Sequence, residues 1–151
     1  DKYDNIIKLA IKNHNKFAIE EGLTELQNKF CKLIRDADKV DIIYETTKEF
    51  WKNETEEMES SKITHELKKE FDQRKMLVTK NYKKIVYADK LIQFLGFVYD
   101  LNYKSSFQII NEQNYIEQII NRFNFKDEHT QNQIKDAGEK IKQYILSKIQ
   151  E

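Results

Sequence analysis

Ile34-Arg35-Asp36-Ala37-Asp38-Lys39-Val40-Asp41-Ile42 sets three carboxylates and two cations inside an apolar pattern with helical spacing. Around it, Leu26, Phe30, Leu33, Ile34, Ala37, Val40 and Tyr44 recur at the intervals that place side chains on one face of a helix, here a broad stripe expected to run on to about Phe50-Trp51. Asp41 falls inside that stripe and Asp38 at its edge. A buried charge is costly unless it is paired or binds a metal, so carboxylates in such a helix mark a candidate site. Upstream, Gly22 breaks the preceding pattern, and Thr24 with Gln27 offers an N-cap in the Gln form of the capping box.

Working outward, the same period dominates the chain. Ile7, Ala10, Ile11 and His14 make an apolar face that carries the histidine. Asn53–Ser61 is acidic and polar and reads as a loop or short turn. Leu67, Phe71 and Met76 predict a helix over Thr64–Met76. The segment from about Lys80 to Asp100 is the most apolar, as expected of a helix in the middle of a bundle. Ser105 or Ser106 is expected to cap one helix through Phe123, and Ile134, Ala137, Ile141, Tyr144, Ile145 and Ile149 predict a last helix over Glu128–Ile149. The chain has no proline and only three glycines, so little interrupts helices. The expected fold is all-α, a compact bundle of five to seven helices in one domain over residues 1–151.

Composition narrows the classes. Lys plus Arg and Asp plus Glu are 26 each, for zero formal net charge. The basic excess of a nucleic-acid binder is missing, so nucleic acid is not expected as a bulk partner. No window approaches the roughly 18 apolar residues of a membrane span, and no signal peptide leads the chain; a cytoplasmic protein is expected. Cys31, the lone cysteine, reads as a small buried hydrophobe.

Two segments resemble the HD-type metal-dependent phosphohydrolases. Ala10-Ile11-Lys12-Asn13-His14-Asn15-Lys16 is similar to that family's Ala-Ile-x-x-His-Asn segment, and Ile34–Ile42 to its Arg-Asp-Ala-Asp-Lys-x-Asp segment. Phe97-Val98-Tyr99-Asp100-Leu101-Asn102-Tyr103 resembles, less specifically, a C-terminal helix pattern of some members. The resemblance implies hydrolysis of a phosphoester in a nucleotide or related small molecule, with a divalent metal (Mn, Fe, Mg or similar) that activates water and neutralises phosphoryl charge. It implies Asp38 as a metal ligand, His14 as a group that positions phosphate, and Lys39 as electrostatic help. In the family an upstream His and a contiguous His-Asp pair complete the metal site. No His-Asp dipeptide occurs here: His14, His65 and His129 precede Asn, Glu and Thr. The chain is therefore expected to be part of a larger HD-type domain, lacking its N-terminal helices, inactive by itself and prone to self-association through exposed apolar surface. The alternative is a non-catalytic binding or regulatory module on the same scaffold.

Plainer readings stand beside these. His14 also fits a core histidine held by a hydrogen bond. Asp41 fits a structural ion pair with a cation on another helix, and Lys39 a solubilising role. His65-Glu66 does not make HExxH, because Lys69 stands where the second His belongs. His129, between Asp127-Glu128 and Thr130, reads as surface capping, and the Glu54–Glu59 cluster as a solvated loop. Dinucleotide, P-loop and serine-hydrolase patterns do not occur.

Overall fold

The computed structural model describes residues 2–78, 80 and 82–151, with the Lys2 side chain excepted. The fold is all-α. Its helices are α1 (Lys2–Asn13), α2 (Glu25–Thr46), α3 (Thr55–Ser60), α4 (His65–Phe71), α5 (Tyr87–Gly96), α6 (Lys104–Glu112), α7 (Tyr115–Ile120) and α8 (Glu128–Gln150). A 3-10 turn, Phe97–Asp100, continues α5. Among the described residues, eight α-helices exceed the five to seven expected, and each extra boundary has a local cause.

The long apolar segment after Ser105 is cut in two by Asn114, whose φ of 60° is left-handed. Asparagine tolerates that conformation better than most residues, so α6 ends and α7 starts where periodicity alone predicts one helix. Asn53–Ser61 is not a loop: α3 forms there because one side chain, Met58, is fully buried. α2 stops at Thr46 rather than Trp51. The Thr46 and Thr47 hydroxyls donate to the carbonyls of Ile42 and Tyr44, and Arg122 donates to the Thr46 and Lys48 carbonyls at 2.7 and 2.8 Å. Such bonds satisfy the carbonyls a helix end leaves open. α4 stops at Phe71, five residues short of Met76, and Arg74 then takes a left-handed φ of 57°. α5 starts at Tyr87, not near Lys80. The fully buried Asp89 accepts from the Val86 amide and from both the amide and hydroxyl of Thr64, pinning the starts of α4 and α5 together.

Other expectations hold. Thr24 and Gln27 form the capping box at α2, Gly22 turns the chain with a φ of 79°, Cys31 is buried, and α8 spans nearly the range expected. Its cap is Asp127, which accepts from the Thr130 amide, while His129 stays exposed.

One continuous core links Ile43 on α2 with α3–α8, centred on Leu91, Ile92 and Leu95 of α5 and Ile134, Ile141 and Ile145 of α8. α7 lies so close to α8 that a Cβ on Gly138 would come within 2.5 Å of Ile120. Lys68 and Lys140 share Asp72 and Asp136 at 2.7–2.9 Å, joining α4 to α8. Burial works against the charge on Lys140, but its bonds to Asp136 and Asp72 hold its pKa above the ordinary value.

α1 stands apart. Ile6 and Ala10 are buried but lie outside that core, and α1 packs chiefly on α2. α2 also departs from the face read from its sequence. Its inward stripe is Cys31, Arg35, Asp36, Lys39, Ile43 and Thr46, nearly opposite the apolar stripe. Leu33 on the latter is 53% exposed, as are Tyr3 at 50%, Ile7 at 45% and Ile11 at 54% on α1. The polar residues turn inward because they find partners there. The Asp36 carboxylate, 2% exposed, accepts from the Asn102 and Tyr103 amides, the Asn102 side chain and the Ser106 hydroxyl, all between 2.7 and 3.0 Å. It thereby satisfies the open amides at the start of α6. Asp41, by contrast, is exposed and makes no ion pair among the described residues. Urea unfolding should place Asp36→Ala about 3 kcal/mol below the parent, since several buried donors lose one acceptor. Asp41→Ala should fall within about 0.5 kcal/mol.

Candidate functional site

The chain leaves α1 at Asn13 and turns through residues 14–24 into α2. Nothing in that connection has helical or strand pairing to hold it. Arg35 does so from α2: its guanidinium, 2% exposed, donates to the carbonyls of Asn13 at 3.1 Å and Phe17 at 3.2 Å and to that of Lys16. The same guanidinium meets Asp100 Oδ2 at 2.7 Å, and Lys39 Nζ meets that oxygen at 3.1 Å. One carboxylate thus serves two buried cations and ties α2 to the 3-10 turn. The planar fork of arginine suits this set of acceptors, which a lysine could not reproduce.

The turn so held brings His14 opposite Asp38 and Lys39, and all three line one cavity of about 410 Å³. Lys16 and Phe17 from the turn, Ile42 from α2 and Phe97 from the 3-10 turn complete its inner walls, and Met76 and Lys80 border it from the chain between α4 and α5. A volume of this order suits a small ligand. His14 is half-buried, and its Nδ1 is hydrogen-bonded to the Ile11 carbonyl. That bond assigns the proton to Nδ1 in the neutral ring and leaves the Nε2 lone pair available. The hydrogen bond of the plainer reading is present, but His14 lies at the cavity rather than in the core. Asp38 is half-buried and makes no hydrogen bond or ion pair among the described residues. Lys39 is 4% exposed, so the solubilising role does not apply.

The fit to a metal ion can be judged from these donors. The cavity offers one carboxylate and one imidazole, with Lys16, Lys39 and Lys80 around them. Among the described residues, no group of three or more His, Cys, Asp or Glu side chains gathers where it could hold a metal. Divalent ions take several oxygen or nitrogen donors and few cationic neighbours. The residues present do not by themselves fit a divalent metal. They fit an anion better: Lys39 keeps N–H donors beyond its bond to Asp100, and Lys80 makes no ion pair among the described residues.

Sequence reasoning found His14, Asp38 and Lys39 but missed what positions them. Arg35 and Asp100 lie within the quoted segments, but the sequence assigns no role to either. Their signal was the polarity of Arg35-Asp36 within a core helix, which calls for buried partners elsewhere in the chain. No family model, curated protein or solved structure matches this chain.

Replacing Arg35 with Lys should cost about 2 kcal/mol of stability, because the carbonyls lose a forked donor. Hydrogen exchange at the amides of residues 14–17 should speed up while α8 keeps its protection. Equal acceleration in both regions would show that Arg35 acts on the whole fold rather than on this turn.

Proposed function

We propose that this chain is the phosphoester-binding part of an HD-type helical domain and that its cavity takes a nucleotide or related small phosphorylated molecule. The observation that carries the reading is the meeting of His14, Asp38 and Lys39 on one cavity, although the two motifs are separated by a turn and part of a helix. Lys39 supplies charge to a phosphoryl oxygen, and Lys80 adds to it at the rim. His14 donates or accepts through Nε2, according to its protonation. Asp38 holds a place where a negative group repels a poorly oriented phosphate and accepts a hydroxyl or amine of the ligand.

In the resembling family, hydrolysis relies on a metal that needs ligands beyond Asp38 and His14. A phosphohydrolase activity of the parent protein would draw them from residues other than these 151. The non-catalytic module is the second reading, favoured by the cation-rich cavity wall. A cytoplasmic setting goes with either.

Titration calorimetry with adenosine monophosphate tests binding. A saturable component is expected that Lys39→Met weakens about tenfold by loss of a charge-assisted hydrogen bond. Phosphate release measured with and without added Mn(II) tests hydrolysis by the chain itself, and none is expected. Mn-dependent release that Asp38→Asn abolishes would overturn the conclusion that these residues do not suffice. Failure of several phosphoesters to bind would sink both readings.

The uncovered stripe of α1 and α2 supports the view that further helices cover this face in a larger domain. Left open, it should drive self-association. Sedimentation velocity should show a concentration-dependent shift that Leu33→Glu suppresses.

A further inference from the structure

A second cavity, of about 490 Å³, lies on the other side of Phe17 and Met76, which line both. Its charged walls are uneven. Lys32 and Arg35 come from α2 and Arg74 and Lys75 from the chain after α4, against the single carboxylate of Asp100. That carboxylate is already engaged by Arg35 and Lys39. The side chains of Lys32, Arg74 and Lys75 make no hydrogen bond or ion pair among the described residues. Lys32 is half-buried and Arg74 and Lys75 are exposed, so in a chain of zero net charge this hollow carries a local excess of positive charge.

A second, independent observation lies in the same wall. The Tyr99 hydroxyl is shielded from solvent and has no hydrogen-bond partner among the described residues. Buried polar groups are nearly always satisfied, and an exception points to an ordered water, ion or ligand. Burial lifts the pKa of this hydroxyl above the ordinary tyrosine value, while the nearby Arg74 pulls the other way. It therefore remains a neutral O–H donor. Arg74 presents a planar fork suited to two oxygens of a tetrahedral anion, and it is carried in a left-handed backbone conformation uncommon for its type.

We infer that this second cavity binds the phosphate group of a small molecule, with Arg74, Lys75 and Lys32 as its charged donors. The site does not depend on the first cavity being occupied. Its size admits more than a bare phosphate.

Pyrophosphate is the probe, titrated into the whole chain while backbone amide resonances are followed at about 0.15 M salt, where loose surface attraction is screened. The amides of Arg74, Lys75 and Tyr99 should shift and saturate. In Arg74→Gln with Lys75→Gln, the affinity read at these positions should fall about tenfold or more, while shifts at residues 38–42 report separately on the first cavity. Lys32→Gln, on a different element, should weaken the same resonances if the paired variant is poorly folded. Lys135→Gln on α8, exposed and outside the cavity lining, should leave the affinity within about twofold. Absence of saturable shifts at 74, 75 and 99 would overturn the inference whatever happens at 38–42. So would an equal loss in Lys135→Gln, which would reduce the effect to general charge.

Discussion

The Arg35-Asp36 pair on α2 and the segment from Phe97 to Ser106 hold each other in place, and the cavity exists because they do. Two adjacent residues of opposite charge turn into the protein and are satisfied by different chemistry. Asp36 takes amides and a hydroxyl at the start of α6; Arg35 takes carbonyls from the turn after α1 and the carboxylate of Asp100. Breaking such buried arrangements by removing one partner costs far more than the net gain of forming them. Their value lies in register: they admit one placement of α1's exit relative to the 3-10 turn, and the cavity walls follow from it.

This explains why the inward face of α2 is not the apolar one. Apolar periodicity reports which residues avoid water, and it reports burial only when polar residues have nowhere inside to go. Here they do. The stripe through Leu33 and Ala37 was legible as apolar, and its exposure was not, because the partners of Arg35 and Asp36 lie some 65 residues away in Asp100 and Asn102. The fold class, the α2 capping box, the burial of Cys31 and the extent of α8 depend on local spacing and could be read directly. Boundaries set by a left-handed Asn114, by one buried Met58 or by the distant carboxylate of Asp89 could not.

The candidate site divides in the same way. His14, Asp38 and Lys39 carry side chains whose type and motif flagged them, and the fold brings them to one cavity. Their chemistry is shaped by groups to which the sequence assigns no role. Asp100 bridges Lys39 and Arg35 from the 3-10 turn, and Phe17 and Met76 form the partition between two hollows. The cations beyond that partition come from α2 and from the chain after α4, far apart in sequence, so only three-dimensional placement shows them as a group.

The separation of α1 from the main core has a thermal consequence. A helix secured through one neighbour and a handful of polar bonds belongs to the least stable cooperative unit of the molecule, while α5 and α8 belong to the most stable. On warming, the His14 turn would come loose while most helical signal persisted. The temperature at which half the helicity is lost would then overstate the range over which the cavity keeps its shape, and ligand binding would fade through a transition that bulk melting curves do not register.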